Sequence, residues 1–303
     1  MKLLIVTQAV DADDPVLGFF VRWIEEFSKH CKKVTVICLR AGKYTLPNNV
    51  EIIVLGKASR FVRTVRLWHA CVSRRSEYDA VLVHMNPEYI VVAGLLWRSM
   101  HKRIALWYTH KSVNVKLRIA VLFAHSIFSA SAESFRLRTK KLRVMGHGID
   151  TDFFSPDASI TRGDWALSVG RLMPSKRHDL AILRAVDDDR ELRIAGEGPD
   201  RQNLEAFAHK LGARVRFLGP LTHLQMRDEY RKAKYLIHTS ETGSLDKVVL
   251  EALACGLPIV TNDSALKPLE NEGSQYVREH HSLQHLIPAI LDSIQHHEQY
   301  SNK

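Results

Sequence analysis

The stretch HTSETGSLDKVVLEALACGLPIVTN, residues 238–262, reads as a polar loop, a capped helix that carries one acid, and a returning strand. Ser244 is placed to act as N-cap for a helix running through Leu245, Asp246, Lys247 and Val248, with Asp246 near the positive end of the helix dipole. Gly256 stops that helix and Pro258 prevents its resumption. A glycine and small polar residues ahead of a helix N-terminus leave free amides pointing at one spot, which suits phosphate. Glu251 sits on this helix among Val248, Val249, Leu250, Ala252 and Leu253. A lone carboxylate in such company is costly to bury unless something donates hydrogen bonds to it, and ribose hydroxyls would serve.

Outward from that stretch, short apolar runs alternate with helical patterns along the whole chain. In the first half the runs are Leu3–Thr7, Val34–Leu39, Val50–Leu55, Ala80–His84, Ile104–Thr109, Ser126–Ser129 and Leu142–Met145. In the second they are Trp165–Val169, Leu192–Ala195, Val215–Leu218, Tyr235–Thr239 and Pro258–Thr261. Strand and helix in alternation mean βαβ units, parallel sheets and ligands held at the carboxyl ends of strands. A break at Ser155, Pro156 and Asp157 divides the chain into an N-terminal domain, residues 1–155, and a C-terminal domain, residues 156–303. The residues from His281 to Tyr300 read as a terminal helix.

The 303 residues, 46% hydrophobic and 25% charged, are enough for two α/β cores. No apolar run reaches membrane-span length and the N-terminal strand leads into an acidic loop, so a cytoplasmic location is expected. Cys31, Cys38, Cys71 and Cys255 have neither metal-finger nor redox-pair spacing, consistent with reduced thiols. The net charge of +10 is uneven: residues 1–150 hold 24 Lys and Arg against 11 Asp and Glu, the remainder 19 against 22. A basic first half fits a solvated surface, or attraction to an anionic membrane or a lipid-phosphate acceptor. Nucleic acid is disfavoured, because the basic half lacks aromatic interleaving or a recognition motif. Arg60, Arg63 and Arg66, beside Phe61, Val62, Val65, Leu67 and Trp68, form a basic amphipathic helix able to lie on a membrane or to pack its apolar face into the core. Arg136, Arg138, Lys140, Lys141 and Arg143 are a second basic cluster with the same two readings.

Several ordered motifs carry a resemblance. They are Gly146-His147-Gly148-Ile149-Asp150, Gly170-Arg171 with Lys176 five residues on, Ala195-Gly196-Glu197-Gly198-Pro199, Phe217-Leu218-Gly219, and the Glu251 helix. In this order they resemble the retaining GT-B glycosyltransferases of family four, the glycosyl transferases group 1. The resemblance covers the C-terminal half most closely. It implies two Rossmann-like domains facing each other across a cleft, residues 1–155 on the acceptor side and residues 156–303 binding the nucleotide sugar, with a last helix that can cross back to the first domain. It further implies transfer of a sugar, with retention, from a nucleotide diphosphate sugar to a hydroxyl of a glycan or lipid-linked acceptor in cell-envelope polysaccharide or glycolipid synthesis. From the absence of a span-length apolar run and the basic first half, the expected setting is the cytoplasm, with peripheral attachment to the inner face of the membrane. One departure stands out. The family places two glutamates eight positions apart, but Gly243 lies eight before Glu251, and Ser244-Leu245-Asp246 replaces the usual Gly-Phe-Gly. Glu241, Asp246 and Lys247 are therefore the candidates for contact with the transferred sugar.

The chemistry follows residue by residue. Arg171 and Lys176 lie just beyond a strand end, where a guanidinium fork and a compact ammonium can grip a diphosphate and stabilise the charge growing on it as it leaves. By resemblance Glu251 holds ribose, and Gly170 with the amides around Gly243, Ser244 and Leu245 faces phosphate or sugar. His110 ends a strand at the edge expected to face the cleft and resembles the family's strand-end histidine, which positions donor sugar or acceptor hydroxyl. His84 and Gly18 are acceptor-side candidates, Gly18 as the remnant of a paired-glycine turn. The two Asp-any-Asp patterns, at Asp11 and at Asp150, lie in contexts that do not suit metal binding, and a fixed Arg171/Lys176 pair supplies the neutralisation a metal would. No metal and no cofactor beyond the co-substrate are expected. The rival readings are a GT-B nucleotide-sugar epimerase and a non-catalytic partner subunit.

Overall fold

The computed structural model describes residues 1–240 and 245–296. The chain forms two compact units, residues 1–148 together with the terminal helix, and residues 149–282.

In the first unit the order is β1 (Lys2–Val10), α1 (Phe19–His30), β2 (Lys33–Ala41), β3 (Val50–Val54), α2 (Arg60–Ser73), β4 (Ala80–His84), α3 (Glu88–Ser99), β5 (Arg103–Trp107), α4 (Val115–Phe123), β6 (Ser126–Ser129) and β7 (Leu142–Val144). All seven strands pair in parallel in the order β3-β2-β1-β4-β5-β6-β7. Alternation within β1 decides the two faces: Leu3 and Ile5 join one core with Phe20, Trp23 and Phe27 of α1, while Leu4 and Val6 join the other with Leu67, Ile90 and Leu117 of the helices opposite. Side chains in a strand alternate, so continuous burial along β1 requires a helix layer on both sides.

The second unit runs β8 (Trp165–Val169), α5 (His178–Asp187), β9 (Glu191–Ala195), α6 (Arg201–Lys210), β10 (Val215–Gly219), α7 (His223–Lys232), β11 (Tyr235–His238), α8 (Lys247–Ala254), β12 (Ile259–Thr261) and α9 (Ser274–His281). Its five parallel strands are ordered β10-β9-β8-β11-β12. In both sheets the chain winds outward one way and then reverses, between β1 and β4 in the first unit and between β8 and β11 in the second. Strand ends at such a reversal diverge and leave a crevice for ligands. Helix α7 is absent from the sequence-based strand and helix pattern, because in HLQMRDEYRK only Met226 and Tyr230 are buried. A Thr222/Gln225 capping box starts it instead.

The expected division at 155/156 shifts to 148/149. Ile149 and Phe154 are buried with Val249, Leu250 and Leu253 in the second core, so the segment ahead of the Ser155-Pro156 break packs with the second unit. The final helix, α10 (Leu283–Gln295), belongs to the first unit. Its Leu286, Ile287, Ile290 and Ile294 are buried in one cluster with α1. Gly148, at φ +64, is held against this pairing: Trp23 Nε1 donates to its carbonyl at 3.1 Å, and a Cβ there would overlap Leu286 and Trp23. Replacing Ile290 with alanine is expected to lower unfolding free energy by about 2–5 kcal/mol, read from denaturant midpoints with an unchanged slope. A loss below about 0.5 kcal/mol would show that α10 is not part of the core.

Candidate active site in the second unit

The site assembles at the reversal of the second sheet, where β8 and β11 are neighbours. After Val169 the chain turns through Gly170, at φ +153, and a short 3-10 turn spans Pro174–Lys176. This loop lies directly on the loop that comes after β9. The Gly170 amide donates to Ala195 O at 3.0 Å and the Leu172 amide to Glu197 O at 3.1 Å. A Cβ at Gly196 would overlap the Gly170 carbonyl, and one at Gly198 the Leu172 carbonyl. The Gly196-Glu197-Gly198 motif thus serves backbone-to-backbone approach that positions the Arg171 loop. Gly196→Val, at φ +144 and against that carbonyl, is expected to displace the loop and abolish nucleotide binding by calorimetry. Retained affinity would show the loop contact to be dispensable.

The two cations on this loop differ. Arg171 is exposed and its guanidinium bonds to no described residue. Lys176 is about three-quarters covered and its Nζ pairs with Asp246 Oδ2 at 2.7 Å. Thr239, just past β11, donates its hydroxyl to the Lys176 carbonyl at 3.0 Å and fixes the turn. Asp246 also meets His238 Nε2 at 3.0 Å, while His238 Nδ1 contacts Thr261 Oγ1 at 3.2 Å. Burial by itself would raise the Asp246 pKa, but the His238 hydrogen bond and the Lys176 ammonium outweigh it and hold it at about 2. Beneath the loop, His178 bonds Ser168 through Nδ1 at 3.0 Å, and burial, with Lys176 adding to it, pushes its pKa down to about 4. It is therefore neutral near pH 7, and its ring adds no charge beside Lys176. His178 and His238 were not among the candidates drawn from the sequence. Their signal was a histidine beginning a helix and another ending an apolar strand at the ligand edge.

Helix α8 begins at Lys247, with Asp246 in the N-cap position but its side chain making no cap bond. The reading of Ser244 as N-cap, and of Gly243 and Ser244 as donor contacts, falls on residues outside those described, as does Glu241. Leu245 packs against the second core. Glu251 is 5% exposed and already has internal partners, Tyr230 Oη at 3.3 Å and Lys247 Nζ at 3.5 Å, one turn earlier. Burial raises the Glu251 pKa against the opposing pull of Lys247, and burial lowers Lys247 to about 8. Hydrogen bonds that the sequence reading left to ribose are thus partly supplied by the chain itself. Lys247 lies with Glu251, and Asp246 lies with Lys176.

In the first unit His110 is exposed on the loop after β5, its Nδ1 accepting from the Ser112 amide at 3.0 Å and lying 2.8 Å from the Ser112 hydroxyl. His84 is 2% exposed, stacked on Phe20 with centroids 4.0 Å apart and 3.2 Å from Thr7 Oγ1. These contacts make it a core residue of the β1/β4 reversal and replace the acceptor-side reading. Gly18 is buried, and a Cβ on it would stand 2.6 Å from the Asp14 carbonyl and 2.8 Å from that of Ala12. Its lack of a side chain therefore makes room for the chain's own loop. Among the described residues no three His, Cys, Asp or Glu side chains converge as a metal site would require.

Residues 152–295 match the family Glycosyl transferases group 1. A phosphatidylinositol N-acetylglucosaminyltransferase GPI3 subunit of Saccharomyces cerevisiae is 33% identical over 136 residues, covering 42% of this chain and 30% of that protein. A D-inositol 3-phosphate glycosyltransferase of Mycobacteroides abscessus is 32% identical over 138 residues, covering 40% and 31%. The matched part is thus under a third of these relatives' length. Among solved structures, AviGT4, a glycosyltransferase involved in avilamycin A biosynthesis, superposes with a TM-score of 0.69 at 13% identity over 100% of this chain and 99% of that one. HepE of Anabaena, solved with UDP-glucose, gives 0.66 at 14% identity over 100% and 98%. The UDP-GlcNAc 2-epimerase of Methanocaldococcus jannaschii, at 0.59 and 12% over 96% and 99%, shares the fold as well. The two parallel-sheet units share the GT-B fold of these solved structures, and residues 152–295 carry a glycosyl transferases group 1 domain.

Proposed function

We propose that this protein transfers a sugar, with retention, from a nucleotide diphosphate sugar to a hydroxyl of a glycan or lipid-linked acceptor, in cell-envelope polysaccharide or glycolipid synthesis. The observation that carries the reading is the placement of Arg171 and Lys176 at the β8/β11 reversal, above a neutral His178. Arg171 is open to take phosphate oxygens bidentately, and Lys176 adds a second cation once it turns from Asp246. The acceptor hydroxyl approaches the face that the leaving phosphate vacates, and that phosphate takes the proton, so no carboxylate pair is needed. His110, exposed with Nδ1 engaged by Ser112, orients the reacting sugar or acceptor. Glu251 takes ribose, sharing it with Tyr230 and Lys247. We place the protein in the cytoplasm, peripheral on the inner face of an anionic membrane. No helix among the described residues is long and apolar enough to cross a membrane.

A panel of nucleotide sugars, read first by thermal shift and then by release of nucleoside diphosphate, tests the activity. A stabilising donor that also turns over supports transfer. Binding without turnover would move the assignment to a non-catalytic partner subunit, a reading favoured by the neutralisation of Lys176 by Asp246. Interconversion of free nucleotide sugars would make it an epimerase. Because fixed cations face the diphosphate, we also expect chelator-treated enzyme to keep most of its rate, and a complete loss restored by manganese would contradict this.

A further inference from the structure

The first unit holds a groove that the donor chemistry does not use. It measures about 280 Å³ and is lined by Leu39, Leu67, Tyr89 and Val92 on its apolar side and by Arg60 and Arg63 at its basic end. Glu88 and Lys116 also line it but neutralise each other as an ion pair, so the charge left over is that of the two arginines. Arg63 Nε is buried there with no hydrogen-bond partner. A buried guanidinium nitrogen without an acceptor is costly, and an anionic oxygen entering the groove would relieve it.

The surface beside the groove is apolar. Helix α2 buries Leu67, Ala70 and Cys71 in the core. Its opposite face shows Phe61 at 77% exposure, Val65 at 48%, Trp68 at 47%, and Val72, with Leu95 of α3 at 70%. Positions 61, 65, 68 and 72 follow helical spacing, so they form one stripe. Trp68 is fixed across the helix pair, its Nε1 donating to Val92 O at 3.0 Å. An apolar stripe bordered by cations is the composition of a helix that lies in a bilayer interface. Other cations of the basic half have structural tasks instead. Arg66 donates to the Leu55 carbonyl, and Lys141 donates to the carbonyls of Val121, Leu122 and Ala124 that end α4.

We propose that this groove is a binding site for the phosphate of an anionic membrane lipid, held by Arg60 and Arg63, with the stripe Phe61, Val65, Trp68, Val72 and Leu95 resting at the acyl boundary. The inference deepens the peripheral-membrane reading above and rests on it. It narrows the docking charge from the whole basic half to one helix.

The test is co-sedimentation with vesicles of phosphatidylcholine alone or with about 30% phosphatidylglycerol, at low and high salt. Wild type is expected to bind the anionic vesicles at least ten-fold more tightly and to be released by salt. Arg60→Gln and Arg63→Gln should each weaken that binding about five-fold, whereas Lys210→Gln on the second unit should leave it unchanged. Trp68 emission should shift to the blue on vesicles, a shift lost in Trp68→Phe. Equal binding to both vesicle types, no binding to either, or equal losses for the Lys210 variant and the arginine variants would overturn the proposal. Donor binding is measured on the same preparations by calorimetry. A wild-type protein that binds nucleotide sugar but not the anionic vesicles removes this inference alone, and one that docks normally but binds no donor removes the glycosyltransferase reading alone.

Discussion

Lys176→Met is expected to lower kcat/KM for donor turnover by about 10²–10³-fold and to weaken nucleoside diphosphate binding by about 1.5–3 kcal/mol. The ammonium is the more enclosed of the two cations on the β8 loop, with its backbone carbonyl fixed by Thr239 and its Nζ by Asp246. Once the ammonium turns from Asp246 to the diphosphate it meets the developing charge directly, and partial exclusion of water strengthens that attraction. The substitution acts twice, because it removes the cation and leaves the Asp246 carboxylate facing the diphosphate with only His238 beside it. Arg171→Ala should cost less, since the exposed guanidinium is screened by solvent before ligand binds. Turnover and affinity within two-fold of wild type for Lys176→Met, with the fold intact by circular dichroism, would remove the diphosphate role from this loop.

How much of this was legible beforehand depended on the kind of signal. The strands were readable as short apolar runs, the central β1 and β4 being buried on both faces, and parallel order follows from their alternation with helices. Helix α7 was not, since its exposed face outweighs two buried residues. Gly196 and Gly198 were recognisable as a motif, but their reason, the approach of one strand-end loop to the next, is a tertiary contact between segments more than twenty residues apart. Glu251 was correctly singled out as a buried acid needing donors. Its donors proved to be Tyr230, from α7, whose apolar pattern is too sparse to read, and Lys247, one turn before Glu251 on α8. His84 shows the limit in the other direction. A histidine ending a strand at the ligand edge has the same sequence signature whether its ring faces a substrate or, as here, stacks on Phe20.

Asp246→Asn should tighten binding of UDP or GDP by about ten-fold, or about 1.4 kcal/mol. The Asp246 carboxylate forgoes the N-cap bond of α8 to hold Lys176 at 2.7 Å and His238 at 3.0 Å. A diphosphate must compete with that carboxylate for the ammonium, and a neutral amide ends the competition while keeping a hydrogen-bond acceptor in place. The same substitution has a signature in stability. Because the folded pKa of Asp246 is depressed to about 2 from an ordinary 3.8, its ionisation stabilises the fold above roughly pH 4, and that contribution disappears as pH falls through about 2. A shift of this size corresponds to about 2 kcal/mol, so wild type should exceed Asp246→Asn by about that amount at neutral pH, with the gap closing between roughly pH 4 and pH 2. Calorimetric titration with each nucleotide and urea unfolding across that pH range measure both halves. Weaker nucleotide binding in the variant would instead make Asp246 a direct ligand of the donor, and a stability difference independent of pH would mean that its charge is not what secures Lys176.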